Sequence, residues 1–365
     1  MHYSCFSDKM LSWIKSCKKL LPKCYNSNTS VTVVLGNMAC DLDSGVSSIV
    51  LAFHRSVTSK ERVILPVLNI VKEDYPLKTE LVAALESEGV NESVLVFRDD
   101  INFEKIVDLK LIIVDHNVPA DDDKDLYDNR VVEIIDHHVK ETDCSNAVIE
   151  MVGSCSSLVL SQILKENPHF KDDACLRLVH GTILIDTVLL NPEAKKVTKL
   201  DIEMVEKCEH VLDALDRNYV FNKLNSAKKK VDHLDAKQLL RRDFKTLYSK
   251  TGSKICLSSI PMLAKIWSKL PNVRDHVEKF NEEGHISLLL VLGSNFEDDK
   301  KERDLIIIGN GQLFTSMTVA LETCTEPNLE LMKQELGNNF HCYKQLNIAA
   351  SRKQIMPIVK AALGN

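Results

Sequence analysis

Three apolar runs in the first half of the chain each empty into acidic or imidazole side chains. Residues 31–35 lead to Gly36-Asn37 and then to Asp41 and Asp43. Residues 109–114 lead to Asp115-His116-Asn117, and residues 130–135 to Asp136-His137-His138. A fourth carboxylate, Asp186, closes the very apolar stretch 182–185. An isolated buried carboxylate is costly, so Asp186 wants a cation. The carboxyl ends of parallel strands share one edge of a sheet, which would bring Asp41, Asp43, Asp115, His137 and His138 together. Four converging aspartates carry about −4, which two divalent cations neutralise, with Asp115 able to bridge them. Such a site binds phosphoryl oxygens and activates water. Oxygen-rich donors with one or two imidazoles suit Mn²⁺ or Mg²⁺ better than Zn²⁺. Taken singly, Asp41-x-Asp43 reads as loop and cap residues, and His137-His138 as a strand-end pair bonded to loop backbone. The four stretches in combination carry the metal reading.

Positioning these groups requires a parallel α/β domain. Residues 45–56 have helical spacing with Ser44 as N-cap. Strands are expected at 62–68, 93–97, 109–114 and 130–135, and helices at 78–88, 154–165 and 173–186. The run 109–114 is of the kind buried on both faces of a sheet. The expected fold is therefore a parallel sheet with helices on both faces. The pattern changes near Asn191-Pro192. Residues 193–210 are charged and helical, with more helix to about Leu234. Beyond them a smaller α/β domain with a mixed sheet is expected. Its strand 254–259 accompanies an antiparallel pair, 286–292 and 305–308, across the polar loop 293–304. Helices at 261–267, 314–322 and 355–363 surround them. The expected organisation is a helical extension (1–27), a first domain (28–192), a helical linker (193–234) and a second domain (235–365).

The 365 residues suffice for two cores, and a net charge of −6 gives no global nucleic-acid footprint. Eleven scattered cysteines with no C-x-x-C pair indicate reduced thiols and a cytoplasmic protein. No apolar run is long enough for a membrane span, and the N-terminus lacks the apolar core of a signal peptide. Residues 10–21 read as a basic amphipathic helix that either lies across the first domain or addresses a membrane surface.

Asn37-x3-Asp41-x-Asp43, Asp115-His116-Asn117, Asp136-His137-His138 and the late Asp186 together resemble the four motifs of the DHH phosphoesterase superfamily. Gly36-Asn37-x-x-Cys40-Asp41-Leu42-Asp43-Ser44 is most similar to its exopolyphosphatase and prune subgroup, as are Pro66-Val-Leu-Asn69, Phe97-Arg98-Asp99 and Gly153-Ser154-Cys155. The second part resembles the DHHA2 domain through Leu240-Arg-Arg242-Asp243-Phe-Lys245 and Ser351-Arg352-Lys353-Gln354.

The resemblance implies a metal-dependent hydrolase of phosphoanhydride bonds that releases phosphate from short-chain polyphosphate. Asp41 and Asp115 would hold one metal, with Asn37 nearby. Asp43, Asp115, His137 and Asp186 would hold the other. His138 would contact the scissile phosphate or leaving oxygen. Lys245, Arg352 and Lys353 would clamp substrate phosphates, with the helical linker as a hinge. Bottom-up, a polyanion needs such cations, and Arg forks match phosphate oxygens. Related pyrophosphatases carry His at the position of Asn37, so the amide should loosen that metal and favour Mg²⁺. Vertebrate prune-like chains carry Arg at the position of His138 and a long tail, and the intact His pair points toward a working phosphatase. The alternatives are a cyclic-nucleotide phosphodiesterase or nuclease, an inorganic pyrophosphatase, or a regulator that binds signalling proteins. The Gly-Gly-Gly-His run of the superfamily's nucleases is missing, and aromatics for stacking bases are few.

Overall fold

The computed structural model describes residues 9–59, 63–119, 123–213, 215–295, 301–335 and 340–364. The expected strand residue Arg62 and part of the loop 293–304 lie outside them. The chain forms two compact units, Met1–Lys230 and Val231–Asn365.

The described part of the first unit holds a parallel sheet of β1 (Ser30–Leu35), β2 (Val63–Val67), β3 (Asp108–Val114), β4 (Val131–Asp136) and β5 (Ala147–Ile149). Their order is β2-β1-β3-β4-β5, so the ends of β1, β3 and β4 are neighbours on one edge. Side chains alternate across the sheet. Val34, Ile64, Ile112 and Ile135 join one buried cluster with most of the long helices. Val33, Leu65, Leu111, Ile113 and Ile134 join a second cluster with Cys24, Phe103 and Tyr127. Both faces are thus covered, as the mostly apolar strands require. The helices of this unit include α1 (Lys9–Cys17), α2 (Leu42–Thr58), α3 (Thr79–Ser87), α4 (Cys155–Glu166), α5 (Asp173–Asp186), α6 (Lys199–Val211) and α7 (Arg217–Lys229).

Several local expectations change. The N-cap of α2 is Asp41, whose side chain accepts from Ser44 N. Ser44 faces back instead, and its Oγ accepts from Asn37 N at 2.7 Å. Residues 93–97 are not a strand. Asn91 accepts from Ser93 N and winds Glu92–Val94 into a 3-10 turn, leaving Phe97 only an isolated bridge to Leu68. The amphipathic face of α1 is buried, with Met10 and Ile14 in the core, so that face packs on the first unit.

In the second unit the sheet order is β10-β11-β9-β8-β7-β6. Its strands are β6 (Phe244–Tyr248), β7 (Lys254–Ile260), β8 (Ile286–Asn295), β9 (Glu302–Gly309), β10 (Leu331–Gln334) and β11 (His341–Gln345). β8 and β9 form the expected antiparallel pair, whereas β7 runs parallel to β8, which makes the sheet mixed. Its helices include α8 (Ala236–Arg242), α9 (Val273–Gly284), α10 (Gly311–Thr323) and α11 (Arg352–Ala362). No described helix is long and apolar enough to cross a membrane.

Candidate metal centre

The loop after β1 depends on a glycine. A Cβ on Gly36 would lie 2.1 Å from Ser44 Oγ, so only hydrogen fits where the strand end meets the start of α2. Asn69 Nδ2 donates to Gly36 O at 2.8 Å, and Arg98 in turn donates to Asn69 Oδ1. This brace fixes the turn that carries Asn37, Asp41 and Asp43.

Asp115 follows β3 in the left-handed region (φ 61°), a conformation that Asp tolerates better than most residues. His116 holds that turn, with one ring nitrogen 2.8 Å from Val114 O and the other 2.7 Å from Tyr127 Oη. The Asp115 carboxylate is buried. Its Oδ2 accepts from Asn37 Nδ2 at 2.7 Å, and its Oδ1 lies 3.2 Å from His137 Nε2. Burial first, and then the nearby Asp43, push its pKa far above the usual carboxylate range.

After β4, Asp136 points inward and is fully buried. It accepts from Asn117 Nδ2 and from the backbone N–H groups of His137 and His138. Its burial would raise its pKa, but these donors and the His138 ring hold it below the ordinary value. His138 Nδ1 sits 2.8 Å from Asp136 Oδ1, so this nitrogen carries the proton and Nε2 is left for other work. The His138 side chain is 57% exposed, which a group that meets substrate requires. His137 Nδ1 lies 2.9 Å from Val152 O, which assigns it as donor and turns Nε2 toward Asp115. Burial would lower the His137 pKa, but the bond to Asp115 and the field of Asp43 push it up to about 10.

Asp43 sits in the first turn of α2 and faces the N-terminus of α4. Its Oδ2 accepts from Cys155 N at 2.6 Å, and its Oδ1 from Ser156 N at 2.8 Å and Ser156 Oγ at 2.6 Å. Oδ2 also lies 3.9 Å from His137 Nε2. Asp41, exposed at the N-cap, has its Oδ1 on Ser44 N.

Asp186 ends α5, where the helix dipole disfavours an anion. Its Oδ2 is shut off from solvent and has no hydrogen-bond partner at bonding distance among the described residues, although the Ser154 hydroxyl is near enough to lower its pKa somewhat. Burial and the fields of Asp43, Asp41 and Asp115 drive its pKa well up. A carboxylate oxygen orphaned among other carboxylates is the observation that fits a divalent cation here. Ligand atoms of Asp115, His137 and His138 also lie within 4.8 Å of one another.

The structure thus gathers Asp43, Asp115, His137 and His138 by direct contact, with Asp41 and Asp186 within electrostatic reach of Asp43. Asn37 is arranged differently from a simple ligand. Its Oδ1 accepts from Cys40 N and its Nδ2 holds Asp115, so it orients the carboxylate. Lys245 and Lys353 are exposed in the second unit, and Arg352 forks onto Asp243.

The DHH family N-terminal domain matches residues 31–182, and the DHHA2 domain matches residues 222–362. The chain is 33% identical to exopolyphosphatase PRUNE1 of Homo sapiens, over 97% of this chain and 79% of that protein. This chain belongs to the prune-type exopolyphosphatase family. Among more distant relatives of this DHH–DHHA2 chain is the manganese-dependent inorganic pyrophosphatase of Methanocaldococcus jannaschii. It is 23% identical over 77% of this chain and 88% of that one. The crystal structure of a Methanococcus jannaschii chain described as a family II inorganic pyrophosphatase shares the fold. Its TM-score is 0.54 at 20% identity, with 92% of this chain and all of that one covered.

Sequence reasoning passed over Asp136 as a working residue, although it orients His138. It also passed over the backbone amides of Cys155 and Ser156. The Gly153-Ser154-Cys155 motif was the available signal, since a glycine before a helix start marks close backbone approach.

Proposed function

We propose that this prune-type chain is a metal-dependent exopolyphosphatase that releases phosphate from short-chain polyphosphate. The observation that carries the reading is the buried, unpartnered Asp186 Oδ2 facing the field of Asp41, Asp43 and Asp115. We assign Asp41, Asp43, Asp115, His137 and Asp186 as ligands of two divalent cations, Mn²⁺ or Mg²⁺, with Asn37 beside them. When bound, such cations polarise a phosphoryl oxygen and acidify a water molecule. The Asp136–His138 pair then has a defined task. Asp136 keeps a proton on His138 Nδ1, which leaves Nε2 to contact the scissile phosphate or the leaving oxygen. Free thiols at every described cysteine suit a reducing compartment, and we place the protein in the cytoplasm.

Lys245, Arg352 and Lys353 are assigned as phosphate-binding cations. Lys245 lies on the edge strand β6. Arg352 and Lys353 open α11, whose capped N-terminus adds the positive end of a helix dipole. Arg352 Nη1 and Nη2 already grip Asp243 O and Oδ1 at 2.9 and 2.7 Å, so the guanidinium is pre-oriented. Arg352→Ala is expected to raise KM for tripolyphosphate and lower kcat, with about a tenfold or greater fall in kcat/KM. Metal affinity should be unchanged. Steady-state kinetics identical to wild type would remove Arg352 from the substrate site.

The assignment is tested by phosphate release from tripolyphosphate, long polyphosphate, pyrophosphate and cyclic AMP, with Mg²⁺ or Mn²⁺. Fastest turnover of tripolyphosphate, abolished by EDTA, supports it. Preference for pyrophosphate would favour the activity named for the Methanocaldococcus relative instead. Metal-independent turnover, or none with any metal, would refute it.

A further inference from the structure

We propose that Asp201 is a positioning residue for the metal centre, holding the helix start that in turn holds Asp43. The proposal rests on the metal reading above. Asp201 is fully buried in the first turn of α6, beyond the last of the assigned ligands in sequence. Its Oδ2 accepts from Gly153 N at 2.9 Å and from Thr198 N and Thr198 Oγ1, each at 2.7 Å. Its Oδ1 accepts from Ser157 Oγ at 2.6 Å. Gly153 immediately precedes Ser154, the N-cap of α4, and Ser157 lies in the first turn of that helix. One carboxylate therefore grips the start of α4 on both sides of its N-cap.

The opposite side of the same turn is the part that faces the metal centre. Cys155 N, Ser156 N and Ser156 Oγ all converge on Asp43. Asp43 thus takes its orientation from a helix N-terminus, and Asp201 fixes that N-terminus. The spacing leaves no slack. A Cβ on Gly153 would meet Asp201 Oδ2 at 2.9 Å and Thr187 Cγ2 at 2.5 Å. The loop is wedged between Asp201 and Thr187, so a shift of Asp201 would move the helix start that holds Asp43.

A capping box alone does not account for this arrangement. Thr198 and Asp201 do form one at the start of α6. Such a box is satisfied by two local bonds and works at a solvated helix end. Here the same side chain is buried and spends further acceptor capacity on Gly153 and Ser157, which belong to another helix. A buried carboxylate needs all its donors. An amide at 201 would turn one of these acceptors into a donor facing N–H or O–H groups.

The test uses the full-length chain with Asp201→Asn, and Thr198→Ala as a control that removes the Thr198 Oγ1 bonds but keeps the Asp201 bonds to Gly153 N and Ser157 Oγ. Hydrogen–deuterium exchange is read in the metal-free protein for residues 153–157, and Mn²⁺ affinity by calorimetry. Asp201→Asn is expected to speed exchange at Cys155 and Ser156 and to weaken Mn²⁺ binding about tenfold or more, the range for outer partners of metal ligands. Thr198→Ala should lower thermal stability while leaving both readouts near wild type. Should Asp201→Asn fail to fold, Ser157→Ala removes only the Oδ1 bond and should give the same two changes, smaller. Unchanged exchange at 153–157, or faster exchange with wild-type Mn²⁺ affinity, overturns the proposal. Wild-type protein that binds no Mn²⁺ would instead refute the metal reading. Exchange at Cys155 and Ser156 would then still decide whether Asp201 holds the helix start on Asp43.

Discussion

Asp115→Ala is expected to cut phosphate release from tripolyphosphate by more than about a hundredfold, because under the proposed assignment it removes the carboxylate that would bridge two cations. The side chain is buried at the end of β3 between Asn37 Nδ2 and His137 Nε2. Its loss therefore removes an assigned ligand and frees both groups that contact it. Alanine at φ 61° adds backbone strain of about 1 kcal/mol, so a folding defect must be separated from a chemical one. Asp115→Asn serves that purpose, since Asn tolerates the left-handed region and keeps the shape. It should fold like wild type and be nearly as inactive. A further readout is independent of activity. In the metal-free protein His137 is pushed up to about 10, chiefly against burial by its bond to Asp115. Neutralising Asp115 should lower the His137 titration, measured by NMR of the imidazole protons. Activity above about a tenth of wild type in either variant would rule out the bridging role.

The strands that carry the chemistry were legible because each is a mostly apolar run; β1 and β3 end at the residues their sequences suggested, and β4 one residue later, at Asp136. The short elements were not. β5 has three residues, all half-buried, and β10 is half exposed, so neither shows a pattern above that of loops. Residues 93–97 carry β-favouring types, but Asn91 commits the chain to a 3-10 turn before pairing begins. Ser44 looked like a helix cap by composition. Asp41 took that role, because Ser44 Oγ was needed by Asn37 N across the tight Gly36 contact. At the site, residue types announced Asp41, Asp43, Asp115, His137, His138 and Asp186. Their supports, Asp136, the amides of Cys155 and Ser156, and Asp201, depend on which loops meet in space. The Asp43–Cys155 and Gly153–Asp201 bonds join residues 112 and 48 positions apart, a separation that no local pattern reports.

Asp186→Asn is expected to stabilise the metal-free protein while destroying the enzyme, and this opposition is the sharpest check on the metal assignment. Its carboxylate stands at the C-terminal end of α5 with Oδ2 buried and unpartnered. Burial, then Asp43, Asp41 and Asp115, raise its pKa well above the ordinary value. A carboxyl group raised by folding binds its proton more tightly in the folded state. It therefore favours folding below the ordinary carboxylate range, and that advantage is lost as pH climbs through the folded value. Beyond it the ionised group is a net cost, on the order of 1–2 kcal/mol for an unsatisfied buried acceptor. Asparagine keeps the shape, never ionises, and offers N–H donors to a pocket crowded with carboxylates. In EDTA the variant should thus melt higher than wild type, and the gap should widen as pH rises from the ordinary carboxylate range through the folded value. Added Mn²⁺ should reverse the order, because the wild type gains binding free energy that the variant has forfeited. Phosphate release should fall about a hundredfold or more, as for loss of any ligand that completes a metal's shell. This is the stability–function trade expected where a strained charge is retained for catalysis. If Asp186→Asn instead melts lower in EDTA, the carboxylate has a protein partner in solution. If Mn²⁺ then shifts both proteins equally, Asp186 is no ligand, and the pocket's charge must be balanced without it.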